Sequence, residues 1–254
     1  MRVFNMEMKK LRCVIRGAHR DDINSVCFCD ESGNMLVSGS DDSLIKIWDR
    51  RVLEGRPVSV CVGHTEGITH VAAKGDGVTL ISNSKDQSMK LWDLRRCGDV
   101  ERLLAQPLRC NRARGWDYRM GVPYPQRLRT SAAAHPDDRS VATFRGHCVL
   151  KTLIRCWFSP GHTTGRRFAV TGSSDGKWAV YDLLTGTRAP APDFARRLFR
   201  HRDVVRDVAW HPDRPVVVTS SWDGDVALWA RREVGDADVV SDLRPTAMPS
   251  AQRT

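Results

Sequence analysis

One pattern of histidine, serine or threonine, aspartate and a closing aromatic residue occurs four times along this 254-residue chain. In every copy the aspartate lies six residues before the aromatic residue, and the hydroxyl residue lies ten before it. The four sets are His19, Ser38, Asp42 and Trp48; His64, Ser82, Asp86 and Trp92; His147, Thr171, Asp175 and Tyr181; and His201, Thr219, Asp223 and Trp229. Self-similarity of this kind is the signature of a repeat architecture.

The spacing within one repeat predicts three short strands. Apolar residues after the histidine, such as Ile23, Val26 and Phe28, favour a first strand. A second strand then ends at the hydroxyl residue, a turn contains the aspartate, and a third strand ends on the aromatic residue. The four polar side chains can form one chain of hydrogen bonds, which stabilises a buried site only if every member is satisfied.

The Gly-His start, the turn aspartate and the Trp-Asp end resemble WD-repeat β-propellers. The resemblance implies an all-β fold, a β-propeller of four-stranded blades with four recognisable blades and a partial N-terminal one. We predict a partial blade at 1–16, repeats at 17–62, 63–145, 146–199 and 200–240, and a disordered tail at 241–254.

The first residues predict where the chain enters the propeller. The segment 2–5 resembles the end of a third strand, with Phe4 in the aromatic position, and 11–15 resembles an outer fourth strand. A start inside a blade predicts an incomplete, open propeller whose upstream blades are missing. In the alternative, these strands complete the last blade and close a small ring.

A long insertion interrupts the second repeat. The outer strand is expected only at 140–144, so 97–139 lies between two strands of one blade. Prolines and many arginines in this segment favour an irregular loop. A degenerate extra blade is the alternative, although no histidine, aspartate and tryptophan pattern fits there.

The composition and the absence of known motifs narrow the range of possible functions. The formal charge of +10 is spread along the chain, and few aromatic residues accompany the basic clusters, so we predict no nucleic-acid partner. The eight cysteines contain no CxxC pair, which indicates free thiols and no zinc site. No apolar run spans a bilayer and the N-terminus is too charged for a signal peptide, so we predict an intracellular protein, nuclear or cytoplasmic. No catalytic motif occurs, so we expect no enzyme activity and no cofactor.

A second motif follows two of the repeats. Trp48-Asp49-Arg50-Arg51 and Trp92-Asp93-Leu94-Arg95 resemble the Trp-Asp-x-Arg motif of substrate receptors that dock on the damaged-DNA-binding adaptor of cullin-4 RING ubiquitin ligases. The resemblance implies docking through Trp48, Asp49, Arg51, Trp92, Asp93 and Arg95. In the alternative, each arginine pairs only with its own aspartate or with solvent. Trp116-Asp117-Tyr118-Arg119 has the same letters but no preceding blade, and we do not assign it to docking.

Longer stretches, such as GITHVAAKGDGVTLISNSKDQSMKLWDLRR and RGHCVLKTLIRCWFSP, resemble the WD-repeat protein 23 and LEC14B-like subfamily. The resemblance implies a cullin-4 substrate receptor with an unknown protein substrate and no obligate homo-oligomer. Members of that subfamily have more blades upstream. The alternative function is a generic WD-repeat scaffold in an RNA-processing or chromatin complex.

Overall fold

A computed structural model describes residues 1–52, 55–98, 100–101, 115–128, 134–188 and 201–230. These residues contain seventeen β-strands arranged in five antiparallel sheets, with only short helical turns between them. The prediction of an all-β fold built from WD-type blades is therefore confirmed. The tail at 241–254 and the end of the last repeat lie outside the described residues.

Three sheets have four strands each, and each is called a blade here. Blade 1 consists of β3 (Ile23–Phe28), β4 (Met35–Ser40), β5 (Ile45–Asp49) and β6 (Ser59–Cys61). Blade 2 consists of β7 (Ile68–Ala73), β8 (Thr79–Ser84), β9 (Ser88–Asp93) and β10 (Ala142–Arg145), so its outer strand follows the insertion. Blade 3 consists of β11 (Cys156–Phe158), β12 (Phe168–Gly172), β13 (Trp178–Asp182) and β14 (Thr187–Arg188).

Two smaller sheets stand at the two ends of the series. Blade 4 has three described strands, β15 (Val205–Trp210), β16 (Val216–Ser221) and β17 (Val226–Ala230). The N-terminal hairpin pairs β1 (Arg2–Asn5) with β2 (Lys10–Val14). Because this hairpin forms its own sheet and does not pair with β15–β17, the expected open arc is confirmed and the alternative of a ring closed by these strands is wrong.

The turn between the second and third strands has the same construction in all four blades. The carboxylate of the turn aspartate accepts a bond from the backbone N–H two residues on, as at Leu44, Ser88, Lys177 and Asp225. The residue between them has a positive φ, at Ser43, Gln87, Gly176 and Gly224. Such turns form locally, because an Asp side chain mimics a backbone acceptor and glycine tolerates the left-handed conformation.

One position near the end of the second strand lies against the next blade. A Cβ atom at Gly39 would lie 2.6 Å from the Ile68 side chain, and one at Gly172 would lie 2.0 Å from the Val205 carbonyl oxygen. In blade 2 the same position is Asn83, whose Nδ2 donates to Thr171 Oγ1 in blade 3 at 2.6 Å. At this position a blade therefore has either a glycine, which leaves room for the next blade, or a side chain that forms a hydrogen bond to it.

The closing tryptophans pack toward the preceding blade. Trp48 packs with Val3 and Ile15 of the N-terminal segment, and Trp92 packs in a cluster that includes Val37 and Ile47 of blade 1. Phe4, expected in the equivalent aromatic position of the partial blade, is exposed because no described blade covers that face. The last described sheet, at the far end of the arc, likewise exposes Trp222, Val226 and Leu228 among the described residues.

We expect the apolar face of β17 to cause self-association. Replacing Val226 and Leu228 together by Lys should abolish concentration-dependent association, because charged residues block contact between exposed sheets. The melting temperature should change little, since exposed substitutions usually alter stability by about 0.5 kcal/mol or less. Sedimentation velocity across a concentration series measures the first effect, and thermal unfolding measures the second.

The matched control is Ala227→Lys, because Ala227 packs on the covered face of the same strand. That variant should unfold at a lower temperature. Unchanged association of the Val226 and Leu228 double variant would show that another surface is responsible.

Candidate functional site

The buried hydrogen-bond network of blade 1 joins the four side chains that the repeat pattern singles out. His19 Nδ1 lies 2.9 Å from Asp42 Oδ2, and His19 Nε2 lies 2.7 Å from Ser38 Oγ. The indole Nε1 of Trp48 donates to the same Ser38 Oγ at 2.9 Å. Because an indole N–H can only donate, the serine accepts from Trp48 and can donate its own proton to the histidine.

Blades 2 and 4 repeat this network. The histidine-to-carboxylate distances are 2.9 Å for His64 and Asp86 and 3.1 Å for His201 and Asp223. The hydroxyls of Ser82 and Thr219 each lie 2.8 Å from the histidine Nε2 and accept from the indoles of Trp92 and Trp229. In both blades the network ties the loop before the first strand to the other strands.

Blade 3 departs from the expected set of His147, Thr171, Asp175 and Tyr181. The prediction is wrong for Thr171 and Asp175. His147 Nδ1 lies 2.9 Å from the Tyr181 hydroxyl, which reaches the imidazole without an intervening hydroxyl residue. Thr171 instead accepts from Asn83, and Asp175 contacts Lys177. The Asp175 side chain is 37% exposed, against 1% for Asp42.

The buried carboxylates remain ionised. Burial by itself would raise the pKa of Asp42, but hydrogen bonds from His19 and from the Arg20 and Leu44 backbone lower it overall. The same balance lowers the pKa of Asp223 to about 2, where the backbone N–H groups of Asp225 and Arg202 and the His201 ring oppose the effect of burial. A charged acceptor strengthens each bond it receives.

The Trp-Asp-x-Arg arginines lie at the opposite ends of the third strands from these turns. Arg51 Nε donates to Asp49 Oδ1 at 3.0 Å and Arg51 Nη2 donates to Asp49 Oδ2 at 2.7 Å. Arg95 and Asp93 form the same two bonds at 2.9 and 2.7 Å. The Arg95 side chain is 76% exposed. Both pairs follow equivalent strands of adjacent blades, so they share one edge of the arc, called the arginine edge here.

Blade 3 has a similar pair that the sequence analysis missed. Leu184 occupies the position where an arginine would complete the motif, but Asp182 accepts from Arg167 Nε at 3.1 Å. Arg167 precedes β12, the strand paired with β13, so its guanidinium arrives from the neighbouring strand. The cross-strand partner of Asp182 is Phe168, the neighbour of Arg167. The sequence carried no signal for this pair, because it depends on the strand register.

The insertion repeats the arginine turn at the other edge. Asp117 and Arg119 make the same bidentate contact as Asp93 and Arg95. However, the neighbouring Tyr118 accepts a backbone bond from Lys151 and packs its ring 4.1 Å from Lys85 Nζ. Lys85 lies in the turn before β9, a six-residue strand that separates it from Arg95 by roughly 17–20 Å.

A cleft of about 450 Å³ opens beside the arginine edge, between blades 2 and 3. Its walls combine the apolar side chains of Val141 and Leu184 with the charged side chains of Asp93, Arg166 and Arg167. Leu184 is one of the large apolar residues that the structure exposes. The cleft therefore offers an apolar surface with guanidinium groups beside it.

Within the described ranges, no group of three or more His, Cys, Asp and Glu side chains is arranged to hold a metal ion. The described helices are too short to cross a membrane.

Comparison with protein-family models matches the WD domain, G-beta repeat, at residues 9–49, 55–93, 131–182 and 193–230. The chain belongs to the WD-repeat family. A solved neighbour in shape, the computationally designed Ika4 protein, has a TM-score of 0.52 and 22% identity over 84% of this chain and 92% of its own. This likeness bears on the fold alone.

Two relatives of known name resemble this WD-repeat chain more closely in sequence. The LEC14B protein of Lithospermum erythrorhizon is 45% identical over 239 residues, covering 93% of this chain and 48% of the relative. The DDB1- and CUL4-associated factor 11 homolog of Caenorhabditis elegans is 43% identical, covering 89% of this chain and 38% of the relative. The WD-repeat chain thus spans about half the length of the plant relative.

The WD-repeat networks predict unequal costs for two equivalent substitutions. Asp42→Ala should lower the free energy of unfolding by about 1–3 kcal/mol, because it leaves the buried His19 ring without its acceptor. Asp175→Ala should cost less than about 1 kcal/mol, because its carboxylate is more exposed and contacts a surface lysine. Urea unfolding of both variants measures the difference, and equal costs would contradict the arrangement described for blade 3.

Acid should destabilise the WD-repeat blades through the same carboxylates. The folded pKa of Asp223, about 2, lies below the unfolded value of about 3.9. The folded state therefore binds fewer protons, and its advantage is present above pH 4 and lost as the pH falls toward 2. When urea unfolding is compared at pH 6 and pH 3, the Asp223→Asn variant should lose less free energy of unfolding than the unaltered protein. An equal loss in both proteins would show that other groups cause the acid destabilisation.

Proposed function

We propose that this chain is the adaptor-docking part of a non-catalytic substrate receptor for a cullin-4 RING ubiquitin ligase inside the cell. The observation that carries the proposal is the arginine edge, where adjacent blades present Arg51 and Arg95 in identical bidentate contacts. The name of the nematode relative, a DDB1- and CUL4-associated factor, identifies the adaptor. The partner on this edge would be DDB1, the damaged-DNA-binding adaptor.

The geometry of each pair suits a binding role better than a stabilising one. Exposed ion pairs contribute little to folding. Each aspartate uses Nε and Nη2 of its arginine, and no described residue bonds Nη1 of Arg51 or Arg95. The aspartates hold the guanidinium planes in one orientation, which lowers the ordering cost when a partner carboxylate or carbonyl binds.

The cleft between blades 2 and 3 supports docking at the same edge. A partner segment could place an apolar side chain against Val141 and Leu184 and a carboxylate near Arg166 or Arg167. Apolar contacts surrounded by paired charges are typical of protein interfaces. The substrate protein would bind elsewhere on the arc, away from Arg51 and Arg95.

The alternative of a generic scaffold in an RNA-processing or chromatin complex predicts a basic surface that binds nucleic acid. The arginines of the arginine edge are instead neutralised by aspartates, at Asp49, Asp93 and Asp182. Such pairing weakens long-range attraction for phosphate. The chemistry of this edge therefore favours a protein partner.

Replacing Arg51 and Arg95 together by Ala should abolish binding of purified DDB1 to this chain. Loss of a well-ordered interface arginine typically costs about 2 kcal/mol or more, so two losses should weaken the affinity by roughly a thousandfold. The blade networks do not include either residue, so the thermal unfolding curve should not change. Biolayer interferometry with immobilised DDB1 measures the binding.

Arg119→Ala is the matched control, because Arg119 makes the same local contact at the other edge of blade 2. DDB1 binding by this variant should equal that of the unaltered protein. If the double variant binds DDB1 as tightly as the unaltered chain, the arginine edge is not the docking surface. Wild-type protein that binds DDB1 at no tested concentration would reject the receptor role for this chain.

A further inference from the structure

Two cysteines face each other across the boundary between blades 1 and 2. Cys61 ends β6, the outer strand of blade 1, and is buried, while Cys97 follows the helical turn Leu94–Arg96 and is half-buried. Their sulfur atoms lie 2.7 Å apart. The backbone brings them together, because Val60 and Gly98 form an antiparallel β-bridge.

The β-bridge gives the pair the geometry of a cross-strand disulfide. In an antiparallel ladder, the next facing positions after Val60 and Gly98 are Cys61 and Cys97. Facing residues in such a ladder have Cα atoms about 4.5–5.5 Å apart, within the range of about 4.4–6.8 Å that disulfides require. Bond formation therefore requires the two sulfurs to approach each other, and it does not require the sheet to rearrange.

The surroundings give the two thiols different reactivity. A hydrogen bond from Cys61 is the main cause that lowers the pKa of Cys97, and a bond from Ser59 adds to it against the opposing effect of burial. Burial is the main cause that raises the pKa of Cys61. Since the thiolate is the reactive form, Cys97 is the thiol that meets an oxidant first and Cys61 is placed to react with it.

We propose that Cys61 and Cys97 are a peroxide-sensitive thiol pair that closes to a reversible disulfide between the outer strand of blade 1 and the turn carrying Arg95. The inference concerns the chain itself and does not depend on the proposed function. No sequence motif indicated this pair, because the two cysteines are 36 positions apart.

The oxidation proceeds in two balanced steps. The Cys97 thiolate attacks one oxygen of hydrogen peroxide, forming a sulfenic acid and releasing hydroxide. The Cys61 sulfur then attacks the Cys97 sulfur, and the sulfenic hydroxyl leaves as water with the proton of the Cys61 thiol. Each sulfur gives up one electron, and the peroxide accepts both. A dithiol reductant reverses the bond by thiol exchange.

The other described cysteines provide a contrast. Cys27 and Cys29 are two residues apart on one chain segment, and burial raises the pKa of Cys27 to about 12 and that of Cys29 to about 11. Cys148 is half-buried like Cys97 and precedes β11 of blade 3. A general sensitivity of the chain to peroxide would modify Cys148 as readily as Cys97.

The proposal is tested by treating the purified full chain with a graded series of hydrogen peroxide and blocking the remaining thiols with N-ethylmaleimide. Peptide mass spectrometry should find the Cys61 and Cys97 peptides linked, with the loss of two hydrogens, at concentrations that leave Cys148 reduced. Dithiothreitol should restore both thiols. Cys61→Ser should leave Cys97 as a sulfenic acid that dimedone traps.

Cys148→Ser is the matched control and should form the same link as the unaltered chain. The link should also raise the melting temperature in its oxidised form, because it closes a loop across two blades. Peroxide that oxidises Cys97 without linking it to Cys61, or that links Cys97 to Cys110 or another thiol, would overturn the proposal. A Cys97→Ser variant in which Cys61 still forms a link to another thiol would also overturn the proposal. Circular dichroism shows whether the serine variants remain folded.

Discussion

The hydrogen-bond chain from aspartate through histidine and serine to tryptophan is the interaction on which the arc depends. In blade 1 it connects the loop before β3, the end of β4, the turn before β5 and the end of β5 through His19, Ser38, Asp42 and Trp48. All four residues lie in or beside the apolar packing between blades. Because an unsatisfied member would be costly at that depth, the network requires one register of the strands.

Blade 3 shows that the four blades share a hydrogen-bonded histidine Nδ1 and not a fixed set of letters. A tyrosine hydroxyl reaches His147 directly, and the side chains thereby released take other partners. Thr171 accepts a bond from Asn83 and so links two blades, whereas Asp175 moves toward solvent. One substitution at the end of a strand thus changes the contacts of three other positions.

The buried networks and the arginines proposed for docking lie at different ends of the same strands. The networks lie at the turns before the third strands, and the arginine edge begins where those strands end. This separation allows Arg51 and Arg95 to vary or bind a partner with little effect on the fold. The thiol pair of Cys61 and Cys97 lies on the boundary between the blades that carry these arginines, so a link there would restrict their relative movement.

The sequence by itself determined the blades, because the residues that form each turn, each strand pairing and each buried network lie within about 30 residues of one another. The strand order, the turn aspartates and the position of the insertion could all be predicted from that local pattern. Only the tertiary structure decided which network Thr171 and Asp175 join, which edge Arg119 occupies, and that Arg167 and Asp182 or Cys61 and Cys97 meet. These contacts depend on strand register and on the packing of one blade against the next, and distance along the chain does not encode either.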